Sequence, residues 1–115
     1  MGLAIYGDGT DPDLTRQSHK WFVMASKGGN AHATLMVASD YISGTGVEQD
    51  KVLGRKILKD VADIGYSNAQ YLLGALILNG TLPSFNRKEE ATKYLEAAAK
   101  QGHSDAKNLL NTMKM

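Results

Sequence analysis

Apolar residues recur every three or four positions along most of this chain, in blocks that glycine interrupts. Such spacing places the apolar side chains on one face of an α-helix. The blocks themselves repeat: Gly29, Gly65 and Gly102 lie 36 and then 37 residues apart, and an alanine follows each of them after four residues. Each period contains two apolar blocks, so it predicts a pair of helices.

The predicted helices have clear limits in the pattern. They cover residues 12–27, 31–42, 51–64, 69–79 and 87–101, and a last helix begins at about residue 104. Ser67 with Gln70, and Asn86 with Glu89, have the spacing of a capping box, which predicts side-chain hydrogen bonds at two helix starts. Ala38 is predicted to allow two helices to approach closely.

The glycine-rich stretch YISGTGVEQD, residues 41–50, resembles a phosphate-binding loop only in composition. That loop requires a lysine and a preceding strand, and neither is found here. Gly44 and its counterpart Gly80 each follow the first helix of a pair, and Gly29, Gly65 and Gly102 each follow the second. We therefore interpret these glycines as left-handed residues that end helices.

Stacked helix pairs predict an all-α fold, an α/α superhelix or solenoid of antiparallel helices. We expect one domain over residues 1–115, built of consecutive repeats. The parts are a partial first repeat (1–29), a second repeat (30–65), a third repeat (66–102) and a C-terminal capping helix (103–115).

The segments YISGTGVEQD, AQYLLGALILNG and KYLEAAAKQGHSDAK resemble Sel1-like repeats, which are related to tetratricopeptide repeats. The resemblance covers nearly the whole chain and is weakest in the first repeat. Ile77 replaces the family's tyrosine, and TLPSFNRKEE (residues 81–90) replaces its shorter loop, so the conformation of that segment is not predicted. The resemblance implies a non-enzymatic adaptor or scaffold that binds proteins, often in bacterial signalling or host contact.

Composition removes several alternatives. Thirteen basic and twelve acidic residues leave a net charge of +1, which gives no support to nucleic-acid or membrane binding. Cysteine is absent, which excludes disulfides and thiolate sites. The first residues do not have the pattern of a signal peptide, so we expect a cytoplasmic protein, or an exported one if the natural chain starts further upstream.

Candidate chemistry is sparse, and we predict no catalytic residue, metal or cofactor. Asp8, Asp11 and Asp13 do not match a calcium loop, and Asp11 before Pro12 is better explained as an N-cap. The three histidines lack zinc-site spacing. The basic residues of the third predicted helix are interpreted as a solvated face; they are Lys51, Arg55, Lys56 and Lys59.

A partner is expected on the concave side of the solenoid, which the first helix of each pair lines. The alternative is that some of these side chains pack against the next repeat. The candidate residues are His32, Leu35, Ser39, Ile42, Asn68, Tyr71, Ala75, Leu78, Asp105 and Asn108, followed by Thr112.

Three functions fit these observations to different degrees. A protein-binding adaptor is favoured, and a bacterial immunity protein that neutralises a cognate toxin is the alternative. An enzyme is disfavoured because no catalytic motif is found. The incomplete first repeat leaves Trp21 or Phe22 with less cover than their counterparts, which predicts pairing of the N-terminal end in a homodimer or with a partner.

Overall fold

A computed structural model describes residues 12–113, with the side chains of residues 14–113. It contains helices and connecting turns, and no strand is found within that range. The helices are α1 (Pro12–Lys27), α2 (Ala31–Ser43), α3 (Lys51–Ile64), α4 (Ser67–Leu78), α5 (Arg87–Lys100) and α6 (Ser104–Met113). The all-α prediction is confirmed, and each described helix begins and ends within two residues of its predicted position.

The chain divides into two compact units, residues 1–54 and 55–115, with the boundary inside α3. In the first unit α1 packs on α2, whose Ala33, Val37 and Ala38 are buried. A polar pair lies in the same interior: His19 Nδ1 is 2.8 Å from Asp40 Oδ2, and both side chains are about nine-tenths buried. The sequence pattern did not predict this pair.

The second unit contains the largest fully buried side chains of the described residues: Leu58, Leu73, Ile77, Leu82 and Leu95. They come from α3, α4, α5 and the loop before α5. The last helix, α6, adds the buried Ala106, so every helix of the unit contributes to its core, as stacked helix pairs require.

Small residues set the distance between the two helices of a pair in both units. A Cβ atom on Gly54 of α3 would lie 2.8 Å from the backbone oxygen of Ala38 in α2. In the second unit a Cβ atom on Gly74 of α4 would lie 3.1 Å from the backbone oxygen of Ala91 in α5. The close approach predicted at Ala38 is confirmed. The glycine at the contact lies in the second helix of the pair in one repeat (Gly54) and in the first helix in the next (Gly74).

The predicted capping boxes are wrong at both sites. Asn86 precedes α5 but makes no side-chain capping bond, and Tyr66, not Ser67, is the N-cap residue of α4. Gln70 instead donates from Nε2 to the backbone oxygen of Ala62, 3.1 Å away, and accepts a bond from Gln101. At Gln70, burial explains the difference, because a buried amide needs hydrogen-bond partners and finds them in the last turn of α3 and in Gln101.

Side-chain caps are found at other helix starts. Asn30 Oδ1 accepts a bond from the backbone N–H of Ala33, and Asp50 Oδ1 accepts one from Leu53. The helix ends agree with the sequence interpretation: Gly44 has φ +78° and its N–H returns to Asp40. The other glycines of the two interpreted columns also have positive φ; they are Gly29, Gly65, Gly80 and Gly102. Asp11, the predicted cap of α1, lies outside the described residues.

One column of the repeat alignment is buried in one place and exposed in another. Tyr94 in α5 is buried, while its counterpart Trp21 in α1 has 69% of its surface exposed. The expected lack of cover at Trp21 is therefore confirmed. Pairing with another chain at this end stays a prediction.

Candidate protein-binding surfaces

The candidate face of α2 is narrower than expected. His32 is exposed and Ser39 is half-buried, but Leu35 and Ile42 have only 7% and 6% of their surface exposed. Ile42 lies against Gly54, where an added Cβ would be 2.6 Å from Ile42 Cγ1. The prediction that Leu35 and Ile42 are accessible to a partner is wrong, because both side chains are buried. Hydrophobic residues at helical spacing do not reveal which of two apolar stripes is covered.

The candidate face of α4 carries a built arrangement around Tyr71. The Tyr71 ring stacks on the His103 ring with centroids 4.7 Å apart and planes inclined by 21°. Asn68 Oδ1 lies 2.9 Å from His103 Nε2, and Asn68 Nδ2 lies 3.3 Å from the hydroxyl of Tyr66. We call Asn68, Tyr71 and His103 the α4/α6 cluster.

His103 holds this cluster together, and the sequence analysis did not include it among the site residues. It precedes α6, and its Nδ1 accepts a bond of 3.2 Å from the backbone N–H of Ala106. Since Nδ1 accepts, the ring proton of the neutral imidazole lies on Nε2, which donates to Asn68. The register offered a sign of this role, because His103 shares the alignment column of the capping residue Asn30.

The remaining candidates of the second unit surround this cluster less tightly. Asp105 and Asn108 of α6 are exposed, and the hydroxyl of Thr112 donates to the backbone oxygen of Asn108. Ala75 and Leu78 of α4 are half-buried. Leu78 lines a shallow cleft of about 320 Å³ with Arg87, Lys88 and Met113.

A second, larger cleft lies beside the loop before α5, the segment that the sequence left unassigned. Its volume is about 830 Å³, and we call it the α5 cleft. It is lined by Arg55, Pro83, Ser84, Phe85, Asn86, Glu89, Glu90 and Lys93. Arg55 anchors the cleft: its guanidinium donates to the backbone oxygen of Pro83, and Nη2 lies 2.8 Å from Glu90 Oε2.

The sequence analysis interpreted Arg55 as part of a solvated basic face, and for this residue the interpretation is wrong. The expected exposure holds for Lys56 and Lys59, which pair along α3 with acidic residues one turn later: Lys59 Nζ is 2.8 Å from Asp63 Oδ2. That hydrogen bond, followed by the charge of a nearby tyrosine, raises the pKa of Lys59. Exposed pairs of this kind contribute little to stability.

Glu90 is the most constrained carboxylate of the α5 cleft. Ser84 Oγ donates to Glu90 Oε1 over 2.7 Å, while Arg55 holds the other oxygen. The Ser84 hydrogen bond, with Arg55 as the further stabilising partner, lowers the pKa of Glu90 against the opposing effect of burial. Both oxygens of Glu90 are thus committed to holding the loop.

The described part of the chain contains neither a metal-binding group of side chains nor a membrane-spanning helix. Among residues 14–113, no three histidine, cysteine or acidic side chains lie close enough to hold a metal ion. Asp8 and Asp11 lie outside the described residues, and the side chain of Asp13 is not described. No helix between residues 12 and 113 has the length and apolar character needed to cross a bilayer.

Comparison with known families gives a match over most of the chain. The family profile described as "Sel1 repeat" matches three times, at residues 1–30, 31–59 and 67–103.

Individual relatives agree with that match. Chitin synthase regulatory factor 4 of Schizosaccharomyces pombe is 33% identical over 96 residues, which are 83% of this chain and 14% of that protein. A protective antigen of uropathogenic Escherichia coli with an SLR fold has a TM-score of 0.67 at 28% identity, over 80% of this chain and 20% of its own. A Sel1 repeat protein from Oxalobacter formigenes has a TM-score of 0.68 at 26% identity, over 84% of this chain and 38% of its own. The chain therefore spans well under half the length of each of these relatives.

Proposed function

The chain belongs to the Sel1 repeat family, and from that premise we propose that it is a non-enzymatic adaptor that binds a protein partner through the α4/α6 cluster. Proteins built of Sel1 repeats generally mediate protein–protein interactions. The proposal adds a location to that general role.

The observation that carries the proposal is the Tyr71 side chain, half-buried and stacked on His103. Aromatic side chains surrounded by polar ones are typical of the centre of protein interfaces. The stack and the Asn68 bond hold these rings before any partner arrives, so binding would cost little side-chain entropy. Exposed Asp105 and Asn108 supply the polar rim of such a patch.

The names of relatives are compatible with an adaptor. The fission-yeast relative is described as a regulatory factor, and the Escherichia coli protein as an antigen; neither name describes a catalyst. This chain aligns with only 14% of the first and 20% of the second, so it corresponds to a short segment of each. We propose that a segment of this length acts as a binding segment.

The test is an affinity capture from the source cell with the wild type and Tyr71→Ala. Ile64→Ala is the matched control, because Ile64 has 83% of its surface exposed and lies elsewhere in the same unit. Leu35, the counterpart of Tyr71 in the preceding repeat, is unsuitable for this test. Removing a buried leucine destabilises the fold by about 2–5 kcal/mol, so lost binding could reflect unfolding. Circular dichroism establishes that all three proteins are equally helical.

We expect one protein to be retained by the wild type and by Ile64→Ala and lost by Tyr71→Ala. Retention by all three would overturn the location. The identity of the captured protein distinguishes the adaptor from the alternative function: a toxin whose activity the chain abolishes would make this an immunity protein.

We also propose that α1 supports self-association. Leu14, Trp21 and Met24 have 58%, 69% and 65% of their surface exposed, and their spacing of seven and three residues places them on one side of the helix. Exposed apolar stripes of this kind are typical of interfaces. Light scattering at increasing concentration should show a mass rising towards a dimer, which Trp21→Ser should abolish and Ile64→Ser should not. A wild type that stays monomeric at about 1 mM, a concentration at which even weak dimers form, would contradict it.

A further inference from the structure

Phe85 is a fully exposed aromatic side chain on a loop that is otherwise firmly held. Its relative exposure is 107%, the largest among the described hydrophobic residues. The backbone N–H of Leu82 donates to Leu76, and the Leu82 side chain is completely buried. The backbone oxygen of Pro83 accepts a hydrogen bond from Arg55, and the hydroxyl of Ser84 donates one to Glu90. The loop thus fixes the position of Phe85 without using its side chain.

The equivalent residue of the preceding repeat has an internal role. Gln49 lies 36 residues before Phe85, and its Nε2 donates to the backbone oxygen of Ile42 over 2.8 Å. Gln49 Cβ also lies close to Gly44. Phe85 makes no corresponding bond, so no requirement of the repeat explains an aromatic residue at this exposed position.

Some charged side chains of the α5 cleft are paired within the protein, and others are not. Arg55 and Glu90 neutralise each other, and Lys93 Nζ lies 5.2 Å from the centre of the Tyr94 ring. No ion pair joins Glu89 to another described side chain, although it lines the same cleft as Phe85. The neighbouring Arg87 and Lys88 line the separate, smaller cleft.

We propose that the α5 cleft binds an arginine side chain in an extended segment of a protein partner. The planar guanidinium stacks on the exposed face of Phe85 and donates to the carboxylate of Glu89. Arginine carries both a flat, weakly hydrated surface and a fork of N–H donors, so one side chain satisfies both groups. The volume of about 830 Å³ also accommodates the flanking residues of the segment against Pro83.

Other side chains fit these groups less well. A carboxylate would approach both Glu89 and Glu90; of the two cations that line the cleft, Arg55 is already bonded to Glu90 and Lys93 lies against the Tyr94 ring. A lysine supplies charge but not the flat surface that stacks on an aromatic ring. An aliphatic side chain would cover Phe85 and leave Glu89 without a partner.

The experiment titrates the full chain with three acetylated and amidated tripeptides, Leu-Arg-Leu, Leu-Lys-Leu and Leu-Glu-Leu, and records backbone amide chemical shifts. The variants are Phe85→Ala and Glu89→Gln. Ile64→Ala is the control for loss of exposed apolar surface, and Lys93→Gln is the control for a changed charge in the same cleft. Neither Phe85 nor Glu89 contributes a hydrogen bond that holds the loop, so folding should be unaffected.

We expect saturable shifts at residues 83–93 for Leu-Arg-Leu, with weaker binding for Leu-Lys-Leu. Phe85→Ala and Glu89→Gln should each weaken the arginine peptide by at least about threefold, the effect of losing one exposed cation–π or charged contact. The two controls should not weaken it.

Several results would overturn the proposal: preferential binding of Leu-Glu-Leu, shifts outside the cleft, no shifts at about 10 mM, a concentration that reveals contacts of only a few kcal/mol, or binding that depends on Phe85 but not on Glu89. The cleft does not include Tyr71 or His103, so this test and the test of the α4/α6 cluster can fail independently.

Discussion

Two loops at equivalent positions in successive repeats, residues 44–50 and 80–86, differ in how they are held. Counted from a glycine of positive φ both have the same length, although the connection from α4 to α5 is one residue longer because it also includes Asn79. In the first loop, Gln49 bonds back to Ile42 and Asp50 caps α3. In the second, Leu82 is buried in the core, and Asn86 makes no side-chain cap.

The first loop is held by polar bonds to its own helices, whereas the second combines polar bonds to Arg55 and Glu90 with the burial of Leu82. Gly46 and Leu82 occupy the same column. At Gly46 the backbone approaches α1 so closely that an added Cβ would lie 2.2 Å from the Thr15 backbone oxygen. At Leu82 the side chain fills the core of its own unit. In the second loop, position 85 makes no bond that holds the loop, and the residue there is an exposed phenylalanine.

The largest effect is expected from Leu82→Ala. Removing a completely buried leucine leaves a cavity and should lower the free energy of unfolding by about 2–5 kcal/mol. Urea unfolding followed by circular dichroism measures the change, with Phe85→Ala as the control that removes an exposed side chain from the same loop. A loss of less than about 1 kcal/mol would mean that burial does not hold this loop.

Gly46→Ala is expected to follow, with a loss of about 1–3 kcal/mol from overpacking and strain. The residue has φ +74°, and the atom it would meet is backbone, which cannot rotate away. Gly29→Ala is the matched comparison, since Gly29 has φ +92° but an added Cβ there meets nothing within 4 Å. Equal losses in the two variants would show that conformational strain, and not the contact with α1, explains the glycine at position 46.

The two residues before the second helix of each pair should differ in a smaller way. Asp50→Ala removes a bond to the backbone N–H of Leu53 and should cost about 1 kcal/mol. Asn86→Ala removes no capping bond and should stay within about 0.5 kcal/mol of the wild type. Thermal unfolding of both variants measures this difference, and similar losses would contradict the assignment of only one cap.

The smallest effect concerns acid. The Ser84 bond, together with Arg55, lowers the pKa of Glu90 below 4.5 in the folded chain. The unfolded chain therefore takes up a proton first as the pH falls. This stabilisation is fully present above about pH 4.5 and is lost as the pH falls through the lower, folded pKa.

Glu90→Gln should therefore flatten the decline in stability below about pH 4.5, at a cost near neutral pH of less than about 1 kcal/mol for a partly exposed pair. Urea midpoints between pH 3 and pH 7, the range in which carboxylates titrate, measure this. Glu89→Gln, which removes the carboxylate at the preceding position, is the control. An unchanged slope in Glu90→Gln would contradict the role given to Ser84 and Arg55.

Much of the fold was predictable because its information is local. Each period of 36 or 37 residues contains two blocks of apolar residues at helical spacing, and these blocks identify the helix pairs. Glycines that end helices identify the helix limits. The capping interactions were less predictable. Gln70 has the spacing of a capping box, but its amide is buried and bonds to Ala62 and Gln101 instead.

The candidate surface was predictable only in part. Tyr71 and Leu78 are half-buried, whereas Leu35 and Ile42, their counterparts 36 residues earlier, are buried. The repeat register assigns equivalent positions but not equivalent cover. His103 was missed because its three contacts join it to residues as far as 35 positions away.

The sequence by itself determined the helix pairs, their period, the glycines that separate them and the membership of the Sel1 repeat family, because each of these depends on residues within one repeat. Tertiary structure alone decided that Arg55 holds a loop 28 residues away, that His103 caps α6 while stacking on Tyr71, and that Phe85 is left exposed. These outcomes depend on which side chains meet across helices, and that geometry follows from packing the repeats together, not from the period of any one helix.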